Sequence, residues 1–401
     1  MSTRAACFVS GIVILAGAAA RAAGPVDPPA GPVVSTMKPL TDVEPRTALN
    51  ATNTPGDSDS MFRITKPGSY YLTGDLAVAP GKRGIEIDAD NVTLDLSGFT
   101  ISGGERGVTS GAKRSMIEVR NGAFADGGAA IFFDEALGVR ITVRDVRVSG
   151  MSTTGIRLPE SSEVLGCRLY DIAGTGIIMG GDGVVRDTEI GLAAGGIIAG
   201  SGAQLSHCRT ISVDTKGFIL DAGSIVESCT ALSSGSDGFD VGGFGSRLTG
   251  CTAAANSGRG FVLSHENQLE GCIADRNGSA GIQAGEASVV RSCTARHNGT
   301  QGIVIGTNSV LTDSYATLNG ASGNYTGIWV NGNDCRVENN HSTGNDFGFY
   351  TQGTNNVIVR NTARGNTTNF DVGAGNDLAP VVVNPGGSGF STATPWSNFA
   401  Y

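Results

Sequence analysis

Apolar residues in the second half of the chain recur with a long, regular period. A glycine followed by Ile or Phe, then a variable residue, then an apolar one opens at Gly155, Gly176, Gly196, Gly217, Gly238, Gly260, Gly281, Gly302, Gly327 and Gly348. The intervals are 21, 20, 21, 21, 22, 21, 21, 25 and 21 residues, and Thr351 is the one polar fourth residue. The alternation within each tetrapeptide is that of a short strand, with the second and fourth residues inward and the third outward. A second short strand follows in each unit, as in Ser288-Val289-Val290-Arg291-Ser292-Cys293, and turn residues such as Asn298-Gly299-Thr300-Gln301 close it. No stretch carries a helical period or helix caps. A repeat of this length is too short for two packed helices but fits one coil of two or three strands, so the pattern predicts an all-β solenoid of stacked coils. Leucine-rich repeats have a similar period, but their Leu-x-x-Leu-x-Leu signature is absent.

Upstream the units are irregular in length: Gly84-Ile85-Glu86-Ile87, Val92 to Leu96, Ile117-Glu118-Val119, Ala130 to Phe133, and Val139 to Val143. Phe62-Arg63-Ile64, a Pro67-Gly68 turn and Tyr70-Tyr71-Leu72 suggest a hairpin that caps the open end, since a terminal coil presents unpaired strand edges. The expected organisation is a linker or N-terminal arm over 23–60, the β-helix over 61–375, and a C-terminal tail over 376–401 packing on the helix. With strands about 4.8 Å apart, about thirteen coils make a rod on the order of 60 Å long.

Composition supports one elongated domain. The 401 residues contain 61 glycines and 13 prolines, enough for many tight turns, and 40% hydrophobic content, too much for a disordered chain. The net charge of −9 and the lack of any Lys/Arg block remove the electrostatic footprint of a nucleic-acid or anionic-membrane binder. Met1 to Arg4 is basic, Ala5 to Ala20 apolar, and Ala20-Arg21-Ala22 offers a small-x-small cleavage site. Residues 1–22 therefore read as a signal peptide, with the mature protein secreted, periplasmic or at the cell surface, and no later segment is apolar enough to span a membrane.

Ala130 to Phe133 and Gly155 to Asn376 resemble the right-handed parallel β-helix repeat of the pectate-lyase-like superfamily. Met37-Lys38-Pro39-Leu40, Glu44-Pro45-Arg46-Thr47, Lys66 to Gly74, Val92 to Phe99 and the closing Pro395-Trp396-Ser397-Asn398-Phe399 resemble a group of secreted bacterial β-helix proteins of unassigned function. The resemblance implies the fold. It does not choose among lyases, hydrolases, epimerases and binding proteins. The paired carboxylates of polygalacturonases and the Asp-Pro-His-Glu of alginate epimerases are missing. No calcium-lyase cluster is evident, and Arg247 stands where a Gly-Gly-x-Gly-x-Asp calcium repeat beginning at Gly242 would place its acid. No metal or cofactor is expected.

Cys167, Asp187, Cys208, Cys229, Cys251, Cys272, Cys293, Ser314, Asn339 and Asn361 recur as a ladder. Packed free thiols, some disulfides, or a soft-metal site are the three readings. The outward third positions run Phe132, Arg157, Ile178, Ile198, Ile219, Asp240, Val262, Gln283, Val304, Trp329 and Tyr350. A mostly apolar stripe implies a cover, a homo-oligomer contact or a ligand groove. The cover would be the tail, with Phe390, Trp396, Phe399 and Tyr401; the groove would centre on Trp329 and Tyr350, flanked by Asn331, Asn333 and Asp346, a platform suited to sugar rings. The least poor catalytic cluster is Asp237, Asp240, Arg259 and His265, whose simplest reading is a surface ion pair. The four histidines, His207, His265, His297 and His341, share no ladder position, and the Asn298-Gly299-Thr300 sequon reads as an Asn-Gly turn. The function these features favour is a carbohydrate-binding or cell-envelope structural protein. The alternative is a polysaccharide lyase, glycoside hydrolase or uronate epimerase.

Overall fold

The computed structural model describes residues 45–134, 138–320, 323, 325–383 and 394–401. The expected signal peptide lies outside them. Arg46–Tyr401 form one unit, with 43 strands, most of them short, among the described residues. One coil shows how the repeat becomes structure. Ile282–Ala284 lies in a first sheet, Val289–Arg291 in a second and Thr294–Arg296 in a third. Each pairs in parallel, in register, with its equivalent one repeat later: Ile282 with Ile303, Val289 with Val310, Thr294 with Tyr315. The result is a parallel β-helix of about 16 turns. Among the described residues no helix is long and apolar enough to cross a membrane.

Extra turns come from both ends of the described solenoid. The expected capping hairpin does not form: Ser60–Ile64 pairs in parallel with Arg83–Ile87, and Gly68–Tyr71 pairs in parallel with Val92–Asp95. These segments are coil strands, and even Thr47–Ala48 extends the second sheet against Tyr70 and Tyr71. An antiparallel bridge between Pro55 and Phe62 folds the chain back at this end.

Ile156, Ile177, Ile197, Phe218, Phe239, Phe261, Ile282, Ile303, Ile328 and Phe349, the second residues of the tetrapeptides, are all fully buried. Phe218, Phe239 and Phe261 stack with centroids 4.5 and 4.9 Å apart, because parallel in-register pairing places like rings one strand spacing apart. Burying each such side chain contributes about 1.5–3 kcal/mol. The opening glycine answers to crowding: a Cβ on Gly238 would sit 2.7 Å from Asn256 Nδ2 and 2.8 Å from the Gly260 carbonyl of the next coil.

Each coil turns three corners, and in the regular coils each corner is a left-handed residue followed by a buried small or polar one. Ala287 (φ 53°), Ser292 (φ 53°) and His297 (φ 54°) precede Ser288, Cys293 and Asn298. The buried residues stack into three ladders. Asn256, Asn277, Asn298, Asn319 and Asn345 form one: Asn256 Oδ1 accepts from the Ser234 N–H, and each later Oδ1 accepts from the backbone N–H and the side-chain amide of the asparagine one coil before. Asn298 of the sequon is thus a core residue. Its Nδ2 also donates to the Ala274 carbonyl at 3.1 Å, leaving no exposed amide for glycosylation.

The thiol ladder needs two corrections. Its rungs are Cys167, Thr188, Cys208, Cys229, Cys251, Cys272, Cys293, Ser314, Asn340 and Asn361: Cys167 N–H donates to Thr188 Oγ1, and Ser314 N–H to Asn340 Oδ1. Asp187 and Asn339 stand one residue earlier as the left-handed corner residues (φ 50° and 57°), where a short polar side chain tolerates positive φ. Cys335 belongs to a different ladder, its N–H donating to Asn356 Oδ1. All seven described cysteines are buried and unbridged.

The tail was expected along the outer stripe, and its described parts lie elsewhere. Asp377–Leu378 pairs with Val357 and Ile358, and Asn398–Ala400 pairs with Thr362, Ala363 and Val381–Val383, adding strands to the last coil. Asn398 accepts from Asn361 N–H and so prolongs the ladder. Trp396 and Tyr401 lie under the Arg360 and Arg364 guanidiniums. Closing an exposed strand edge is the physical demand that this arrangement meets. Phe390 lies outside the described residues.

Candidate functional site

The outward third positions do form one row. The register runs Phe132, Arg157, Ile178, Ile198, Ile219, Asp240, Val262, Gln283, Val304, Trp329 and Tyr350, each opposite the next. Most are half-buried, because neighbours on adjacent coils shield one another along the sheet.

Near its C-terminal end the row turns aromatic. The Trp329 and Tyr350 ring centroids lie 6.3 Å apart at 45°, and Phe347 joins them 5.9 Å from Tyr350 at 52°. Phe347 did not stand out in the sequence because it precedes the tetrapeptide rather than filling its third place. The only hint was its position immediately before Gly348. The Trp329 indole N–H is buried without a hydrogen-bond partner among the described residues, so the ring is what the surface offers.

The flanking residues divide. Asn333 Oδ1 accepts from the Thr354 backbone N–H at 2.8 Å, and Asp346 Oδ2 from the Tyr325 N–H at 3.0 Å. Both fasten turns of neighbouring coils. Asn331 is exposed, in the turn that leaves the first sheet. Asn331 and Asn333 follow the Trp329 strand, whereas Asp346 precedes the Tyr350 strand beside Phe347.

The catalytic candidates separate as well. Asp237 is buried and takes Arg259 through Nη2 at 3.1 Å and Nε at 3.2 Å, and Arg259 Nη1 reaches Gln283 Oε1 at 3.0 Å. Asp240 is paired with Lys216 Nζ, a partner the sequence did not suggest. His265 stands apart from all of them. It lines a corner hollow of about 520 Å³ with Phe244, Glu266 and Glu286, because it sits in the turn after the strand and not on the strand's outer face. The cluster is therefore two ion pairs and a separate histidine.

A larger cleft, of about 970 Å³, lies where the third sheet turns into the first in the N-terminal coils. Glu105, Arg106, Asp126, Phe132 and Thr153 are among its lining residues. The Arg106 guanidinium rests 4.0 Å above the Phe132 ring and 3.5 Å, through Nε, from Glu105 Oε1. Arg157 approaches the same ring at 5.6 Å. Sequence periodicity could not bring these residues together, since the early coils are irregular in length.

No curated protein sequence matches the chain. Among solved structures it is similar to the A-module of a mannuronan C-5 epimerase of Azotobacter vinelandii (14% identity, 83% of this chain and 89% of that one, TM-score 0.37). It is also similar to a mutant tailspike protein of E. coli bacteriophage HK620 in complex with a pentasaccharide (12%, 88% and 71%, 0.47). A third is a mannuronic acid specific polysaccharide family 6 lyase from human gut microbiota (11%, 80% and 81%, 0.44). The family described as right handed beta helix region matches residues 129–286 and 194–334, together more than half of the sequence and the coils in which the glycine period is most regular, so the chain belongs to the right-handed β-helix family.

Proposed function

We propose that this is an exported carbohydrate-binding or cell-envelope structural protein that holds a glycan on the ring patch of Trp329, Phe347 and Tyr350. The observation that carries the reading is the convergence of three aromatic side chains at one place on an outer row that is otherwise mostly aliphatic. Aromatic rings supply an apolar face of the size of a pyranose and lose little conformational entropy on binding. The alternative, a polysaccharide lyase, hydrolase or epimerase, needs acids and bases at liberty to move protons. Asp237 and Asp240 are instead committed to Arg259 and Lys216, which favours binding over catalysis.

The test is binding of the purified protein to a panel of polysaccharides. Trp329→Ala is expected to weaken binding about 30-fold, the cost of removing a central aromatic anchor of about 2 kcal/mol. Equal affinity of the variant and the intact protein across the panel would remove this site.

A further inference from the structure

The N-terminal cleft and the aromatic patch lie on the same outer row. Phe132 lines the cleft, and nine strand-to-strand steps along the row lead from it to Trp329. At about 4.8 Å per step the two are roughly 43 Å apart. We propose that the cleft is a second saccharide subsite, and that one neutral polysaccharide chain runs along the row between the two. This rests on the reading of the aromatic patch as a glycan platform.

The cleft has the groups for such a ligand. Glu105 and Asp126 accept hydrogen bonds from sugar hydroxyls, the Arg106 guanidinium donates them, and Thr153 adds a hydroxyl at the wall. Phe132 lies beneath Arg106, and the stacked ring holds the planar guanidinium in place. The connecting row offers Ile178, Ile198, Ile219, Val262 and Val304 to the C–H faces of successive sugars, and between them Arg157, Asp240 and Gln283 offer polar groups to the hydroxyls. The described C-terminal strands pair only at the last coils and leave this path uncrossed.

Charge selects against acidic chains. Two carboxylates face the cleft against one guanidinium, the row's cation Arg157 is paired with Asp134, and the whole chain carries −9. A polyuronate meets repulsion at the cleft and from the protein as a whole, whereas a neutral chain meets neither.

Two linked subsites make affinity depend on chain length, because the second contact forms at high effective concentration once a chain spans both. The experiment is calorimetric titration of the full-length mature protein with size-fractionated neutral mannan, glucan, galactan and xylan chains, as tetrasaccharides and as chains longer than the span, beside the corresponding polyuronates. A long neutral chain is expected to bind about 100-fold or more tighter than its own tetrasaccharide. Arg106→Ala, and independently Glu105→Ala, should abolish that gain and leave tetrasaccharide binding at the Trp329 patch unchanged. Equal affinity of long and short chains, survival of the gain in both variants, or preference for polyuronates would overturn the proposal while leaving the aromatic platform standing. Failure of every chain, neutral or acidic, to bind the intact protein would overturn both.

Discussion

Cys167 shows what a rung of the interior does to an ordinary group. Its side chain is fully enclosed, and its thiol donates to the Leu165 carbonyl at 3.4 Å. Burial pushes its pKa from 9.0 up to about 11. Cys229 and Cys272 are also pushed up, first by hydrogen bonds to the neighbouring thiols and then by burial. The unfolded chain releases such a proton at its ordinary value, while the folded chain holds it. The stabilisation from Cys167 is thus complete below 9.0 and is lost as pH rises from there through about 11. Denaturant unfolding across this window should show stability falling, with Cys167 contributing at most about 1.4 kcal/mol per pH unit. Cys167→Ala should have a shallower decline than the parent. An identical slope would mean that this thiol titrates alike in both states.

Stacking turns single residues into elements, and the asparagine ladder is the clearest case. Asn298 Oδ1 accepts from Asn277 N–H and Nδ2, and its own Nδ2 donates to Asn319 and to the Ala274 carbonyl. Asn298→Ala strips partners from several buried groups at once, each costing about 1–3 kcal/mol when left unsatisfied. Chemical denaturation should therefore show a loss of about 3 kcal/mol or more, whereas a loss below 1 kcal/mol would mean that the ladder relaxes or is not cooperative. The ladders also mark the limits of what the sequence made legible. The glycine period, the inward Ile and Phe positions and the outer row could be read because parallel in-register stacking repeats identical demands every coil. Asp187 and Asn339 misled because a corner uses two adjacent residues of similar type, one left-handed and outside, the next buried, and spacing alone does not say which is which. Phe62 to Leu72 read as a hairpin because two neighbouring strands joined by Pro-Gly look alike whether they pair with each other or with the next coil. At the candidate site, Trp329 and Tyr350 were legible from their shared row position. Phe347 and the cleft around Arg106 were not, since they depend on how turns of irregular length fold over neighbouring coils.

Within Arg46–Tyr401, eleven consecutive coils present one continuous outer row, half-buried and mostly apolar, with an arginine-capped aromatic at its start and a three-ring patch at its end. A solenoid gains stability from nearest-neighbour stacking, so its long face is available for a long ligand without being needed for the fold. The central claim is that glycan lies on Trp329. The protein has two tryptophans, and Trp396 sits in the turn before the last strand, under Arg360, so Trp396→Phe leaves Trp329 as the sole indole reporter. Fluorescence of that variant during titration with a polysaccharide that the intact protein binds should change saturably, with a midpoint equal to the calorimetric Kd. Full binding by calorimetry with no change in Trp329 emission would contradict the account.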